Sequence, residues 1–111
     1  MLTQVQIEEE LIRLKEEMLG ECLEALRQYS MDAAHAEVAY KVQFAKALLS
    51  SKYKTVGDRN ADATIQTEKT LFDRLVADRA VTTAREKLSA YRASIDALRT
   101  LMVGLRENIR G

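Results

Sequence analysis

Apolar residues recur along the first half of the chain at alternating steps of four and three: Ile7, Leu11, Leu14, Met18, Cys22, Ala25, Tyr29, Ala33, Ala36, Tyr40, Phe44 and Ala47. The pattern repeats every eleven residues, aligning Ile7 with Met18, Tyr29 and Tyr40, and Leu11 with Cys22, Ala33 and Phe44. Eleven residues in three turns is about 3.67 per turn, close to a straight α-helix. The stripe crosses Ser30 and Asp32 in phase, so it predicts one helix over about residues 3–53. Thr3-Gln4-Val5-Gln6 has the form of a capping box at its start, followed by Glu8, Glu9 and Glu10 in the early turns, where the helix dipole favours acids.

The stretch "KYKTVGDRNADA", residues 52–63, interrupts the pattern. Thr55-Val56-Gly57-Asp58 reads as a second N-terminal box, with Thr55 as N-cap and Asp58 as its reciprocal partner. Beyond it Ile65, Phe72, Val76 and Ala80 follow one helical face, interrupted at Glu68. From Ala84 a strict heptad seam takes over: Ala84, Leu88, Tyr91, Ile95, Leu98, Met102, Leu105 and Ile109, with the helix expected to end near Asn108 and Gly111 beyond it.

These elements predict an all-α fold, a single antiparallel coiled-coil hairpin of two long helices. Arm one covers about residues 3–53, a bend 54–57, and arm two about 58–109. At about 1.5 Å per residue each arm would be roughly 75–80 Å long. The alternative is a three-helix bundle with a break near Ser30. Charge favours antiparallel pairing. Residues 1–29 hold seven acids and three bases, whereas residues 84–111 hold three acids and six bases, though exposed ion pairs contribute only a few tenths of a kcal/mol each.

The apolar surface exceeds what two paired helices bury. Ile12, Leu19, Leu23 and Leu26 form a line beside the first stripe, and Leu101 and Val103 lie off the second seam. Surplus of that kind marks an interface. These six residues are therefore the expected self-association surface of a dimer or larger oligomer packing into a helical bundle.

Composition agrees with long helices. The chain has 111 residues, no Pro, no Trp and four Gly, and Lys+Arg 17 balances Asp+Glu 17. That balance speaks against a strongly acidic nucleic-acid mimic and against a uniformly basic coat. One cysteine, Cys22, excludes an internal disulfide framework and suits a reducing cytoplasm. The sequence reads as lacking a signal peptide or membrane span, so a cytoplasmic protein with no membrane partner is expected.

The residues for catalysis are not assembled. Cys22 and His35 are 13 positions apart on one predicted helix, roughly 20 Å along its axis, too far for a thiolate–imidazole pair. Asp32-Ala33-Ala34-His35 has an i, i+3 metal spacing but lacks Glu-x-x-His partners from other helices. No phosphate-binding glycine loop or paired-cysteine motif occurs. The expectation is a non-enzymatic protein with no catalytic residues, no metal and no cofactor. Nucleic-acid binding is the competing chemistry. Lys52, Tyr53, Lys54 and Arg59 at the bend offer a stacking ring between cations, and Arg85, Lys87, Arg92, Arg99, Arg106 and Arg110 make the end of arm two basic. Such binding is expected to be weak and salt-sensitive.

The segment "AYKVQFAKALLSSKYKTVGDRNADA", with the later "LRTLMVGLR", resembles small helical coiled-coil proteins of tailed phages and prophages over about residues 36–106. That resemblance implies a phage-type interaction protein in the host cytoplasm, self-associating and binding a replication, recombination or host-defence macromolecule as an accessory to DNA metabolism. It implies no catalytic residue. Direct DNA or RNA binding through the bend and C-terminal arm is the alternative, and a virion assembly or scaffold component a third reading.

Overall fold

A computed structural model describes residues 2–110, the side chains of Ile109 and Arg110 excepted. The last seam position, Ile109, and Gly111 therefore lie outside what is described. The fold is all-α: α1 (Gln4–Glu17), a π-helical turn (Met18–Cys22), α2 (Leu23–Ser50), α3 (Val56–Gln66) and α4 (Glu68–Arg110), with no strand among the described residues. Helices begin where the caps dictate. The Thr3 hydroxyl accepts from the Gln6 N–H at 3.2 Å, and the Gln6 side chain accepts from the Thr3 N–H at 2.9 Å. Both halves of that box are made.

At the second start only one half forms. Thr55 accepts from the Asp58 N–H at 3.2 Å, while the expected return bond from Asp58 is absent among the described residues. Arg59 Nε instead donates to the Tyr53 carbonyl at 2.7 Å, bracing the link from inside the helix it precedes. The link occupies residues 51–55. Helix α2 stops at Ser50, whose hydroxyl turns back to the Lys46 carbonyl at 2.9 Å, so the first arm's helix ends three residues short of Tyr53.

The break near Ser30 that a three-helix bundle requires does not occur, since α2 passes through it. The local sequence explains why. Ala33, Ala34 and Ala36 are strong helix formers, and Gln28 Nε2 donates one turn ahead to Asp32 Oδ1 at 2.9 Å. Two irregularities appear within the predicted arms, the second beside Glu68, where the apolar face of residues 65–80 is interrupted. The π-turn at Met18–Cys22 contains Gly20 and closes through the Leu23 N–H to the Met18 carbonyl. At Thr67 the backbone leaves helical geometry (φ −106°, ψ 16°), ending α3 one residue before α4 begins.

The chain divides into two compact units. The first comprises Met1–Arg27 and Thr83–Gly111. Its core joins Ile7, Leu11 and Leu14 to Ile95 and Met102, with Met18, Tyr91, Leu98 and Leu105 packed around them. Ile7 is the most deeply buried large side chain, at 1% exposure. The second unit is Gln28–Thr82. Here residues 43–50 of α2 share a groove with residues 62–67, and Tyr29 and Asp32 share one with residues 72–80, so its helices run antiparallel. No residue of α2 is fully buried. Ala33, Ala36, Tyr40, Phe44 and Ala47 are half-buried, and the facing line holds Ala63, Thr67, Thr70, Arg74, Ala77 and Val81.

That facing line corrects the expectation for residues 65–80. Ile65, Phe72 and Val76 do follow one face, but it is an exposed face, at 72%, 64% and 52% exposure. Small and polar residues take the inner positions. Ala63 is fully buried, and the Thr67 hydroxyl donates to its carbonyl at 2.7 Å while the Thr67 N–H does so at 3.0 Å. With its proton given to that carbonyl, the hydroxyl sits in the interior without an unmet donor.

Candidate interaction surfaces

In the first unit the inward stripe leaves a second apolar line uncovered. Ile12 is 58% exposed and Leu19 61%, and Val5 extends the line one heptad toward the N-terminus. Leu23 is at the edge of exposure and Leu26 half-buried, so the line is outermost up to Leu19, inside the π-turn, and sinks toward the core after it. Leu101 and Val103 are also half in solvent. At about 100° per residue they sit on opposite flanks of α4, so a single flat contact engages one of them with the α1 line. Val5 escaped the sequence reading, although its heptad spacing to Ile12 and Leu19 was there to find.

Across α1 from that line lies a polar cluster. Arg13 reaches both Glu10, one turn back, and Glu17 at 2.7 Å, one turn ahead. The Tyr91 hydroxyl donates to the other Glu17 oxygen at 2.8 Å. Each bond favours one protonation state. Donation from Arg13 holds Glu10 below the usual carboxylate range, and donation from Tyr91, then Arg13, does the same for Glu17. The Glu17 acceptor in turn pushes Tyr91 up to about 12, and the two carboxylates raise Arg13 further above its already high value. A shallow groove of about 270 Å³ beside this cluster is lined by Arg13, Glu17, Lys87, Ala90, Tyr91 and Ser94. Its chemistry is that of a helix–helix clamp.

In the second unit Lys52, Tyr53, Lys54 and Arg59 are all exposed, with Tyr53 at 54%. Lys52 and Tyr53 line an open groove of about 540 Å³ together with Gln43, Lys46, Asp62 and Gln66. Arg59 faces the link backbone through its bond to Tyr53, so one of its donors is committed to the fold. Further along, the Arg74 guanidinium lies 5.3 Å from the Tyr40 ring centroid, and Tyr40 packs on Phe44 at 5.9 Å between centroids. This cation–π stack lies on the inner faces, and an arginine at a core position hid it from the hydrophobic pattern. Glu37 takes its own lysine: Lys41 at 3.0 Å draws its carboxyl below the ordinary range.

Cys22 is buried and free. His35 is exposed, and Asp32, its neighbour at metal spacing, accepts from Gln28. Among the described residues no three His, Cys, Asp or Glu side chains converge on a point, and no helix is long and apolar enough to cross a membrane. Comparison with known proteins finds no family model matching the chain, and no similar curated protein or solved structure.

Proposed function

We propose that the protein is a non-enzymatic helical interaction module that self-associates through the first unit and presents its remaining surface to another macromolecule. One observation carries the reading: Val5, Ile12 and Leu19 stand on one line of α1 and the π-turn that continues it, each more than half exposed, beside a core already closed by a separate stripe. Apolar side chains aligned at heptad spacing gain little from water and much from a matching helix. The resemblance of residues 36–106 to phage helical proteins points the second partner toward replication, recombination or host-defence macromolecules. Light scattering tests the self-association. The wild-type chain is expected to run above its monomer mass of 12.6 kDa, and Ile12→Glu/Leu19→Glu to lower that mass without loss of helicity. A wild-type monomer at high micromolar concentration rejects the reading.

Direct nucleic-acid binding is a second reading, favoured by the exposed Lys52–Tyr53–Lys54 triplet beside an open groove. Asp62 in that groove opposes a phosphate, which limits the site to weak, salt-dependent contact. An electrophoretic shift at low salt that disappears in Lys52→Glu/Lys54→Glu supports it; no shift at low salt removes it.

A further inference from the structure

The outward face of α2 carries a seam of its own. Met31, His35, Val38, Val42, Ala45 and Leu49 follow steps of 4-3-4-3-4, the a/d spacing of a coiled coil. All six are exposed, Val38 at 61% and Leu49 at 86%. They point away from Ala33, Ala36, Tyr40, Phe44 and Ala47, the inner stripe of the same helix, and all lie within the second unit.

We infer that this seam docks a second copy of the chain, with two α2 helices antiparallel about a two-fold axis at the level of Tyr40. The seam is complementary to itself in that orientation. Antiparallel helices pair a positions with d positions, so Leu49 meets Met31 of the second copy and Val42 meets Val38. His35 meets Ala45, a large side chain against a small one. Along one edge the flanking charges fit as well. Asp32, Ala39 and Lys46 form one edge of the seam, and reversal brings Asp32 of each copy beside Lys46 of the other, twice, with Ala39 at the axis allowing close approach. Neither Asp32 nor Lys46 has an ion-pair partner among the described residues. Parallel pairing fails on the same residues: it stacks His35 on His35, leaves Ala45 facing Ala45 across a void, and forgoes both Asp32–Lys46 pairs. On the opposite edge, antiparallel pairing brings the two copies' Lys41 close to the axis, where each is already neutralised by Glu37 of its own helix at 3.0 Å. Flanking charges of this kind decide orientation more than affinity.

The α2 contact is separate from the α1 line of the proposed self-association, so the test removes that line first. In the Ile12→Glu/Leu19→Glu variant, sedimentation equilibrium is expected to show residual dimerisation. Adding Val38→Glu/Val42→Glu is expected to give a monomer of unchanged helicity by circular dichroism, because both side chains face solvent. Asp32→Lys or Lys46→Asp alone weakens the dimer several-fold, and the two together restore it. A monomeric Ile12→Glu/Leu19→Glu variant overturns the inference while leaving the α1 contact standing. So does a dimer indifferent to Val38→Glu/Val42→Glu, or a charge swap that fails to restore association.

Discussion

The two units build helix pairs from different materials. In the first, branched and long aliphatic side chains interlock: Ile7, Leu11 and Leu14 from one arm, Ile95 and Met102 from the other. In the second, α2 buries no residue completely, and the inner line opposite it contains Ala63, Thr67 and Arg74. Cohesion there comes from small residues that let backbones approach, a hydroxyl bonded to a carbonyl, and an arginine over an aromatic ring. The lesson is that one helical pattern supports two kinds of interior. The first is sensitive to side chains lost, the second to side chains added.

Truncating Ile7 should give the largest effect. Ile7→Ala removes a side chain only 1% exposed and is expected to lower stability by about 2–5 kcal/mol in urea unfolding. A loss well under that range would mean the first unit's core is looser than the contrast requires. The converse change, Ala63→Leu, puts extra volume where exposure is zero and should cost about 1–3 kcal/mol by overpacking. Were it neutral, the second unit would not depend on close approach. Next is Thr67→Val, which keeps the shape and deletes the 2.7 Å bond to the Ala63 carbonyl. Because that carbonyl still accepts from the Thr67 N–H, about 0.5–1.5 kcal/mol is expected, read from the thermal midpoint.

The smallest effects are electrostatic and belong to the polar clamp of the first unit. Tyr91 titrates near 12 against an ordinary value of 10.0, so its contribution is complete below pH 10.0 and is lost as pH rises toward 12. Glu10 and Glu17 work the other way: both are depressed, so their contribution is present above pH 4.5 and fades as pH falls below it. Phenolate absorbance, with Tyr91→Phe as the blank, should show Tyr91 returning toward its ordinary value in Glu17→Gln. A Tyr91 titration indifferent to Glu17→Gln would mean that Glu17 does not hold the Tyr91 hydroxyl.

The first unit was nearly fully legible because its interior is written in large apolar residues. The stripe from Ile7 to Ala47 falls on buried or half-buried positions everywhere except Tyr29, which is 41% exposed. The seam from Ala84 to Leu105 is likewise inward throughout. The second unit was legible on α2 alone. Across from it, hydrophobicity misled, since Phe72 and Val76 are large yet outward while Thr67 and Arg74 are polar yet inward. Such an interior is set by backbone approach, which a hydrophobic pattern does not record. The π-turn escaped for a related reason: a single Gly20 in an otherwise ordinary stretch carries no periodic signal. Among the surfaces, the surplus line on α1 was visible as excess, whereas the α2 seam was masked by the inner stripe interleaved with it.

Cys22 has a practical consequence. It is the sole thiol in the sequence and is sealed at 5% exposure, and thiols in apolar surroundings are inert. Any cysteine introduced on an outer face becomes the one position a maleimide dye or nitroxide reaches. Distance measurements between labelled copies then need no prior stripping of the native residue.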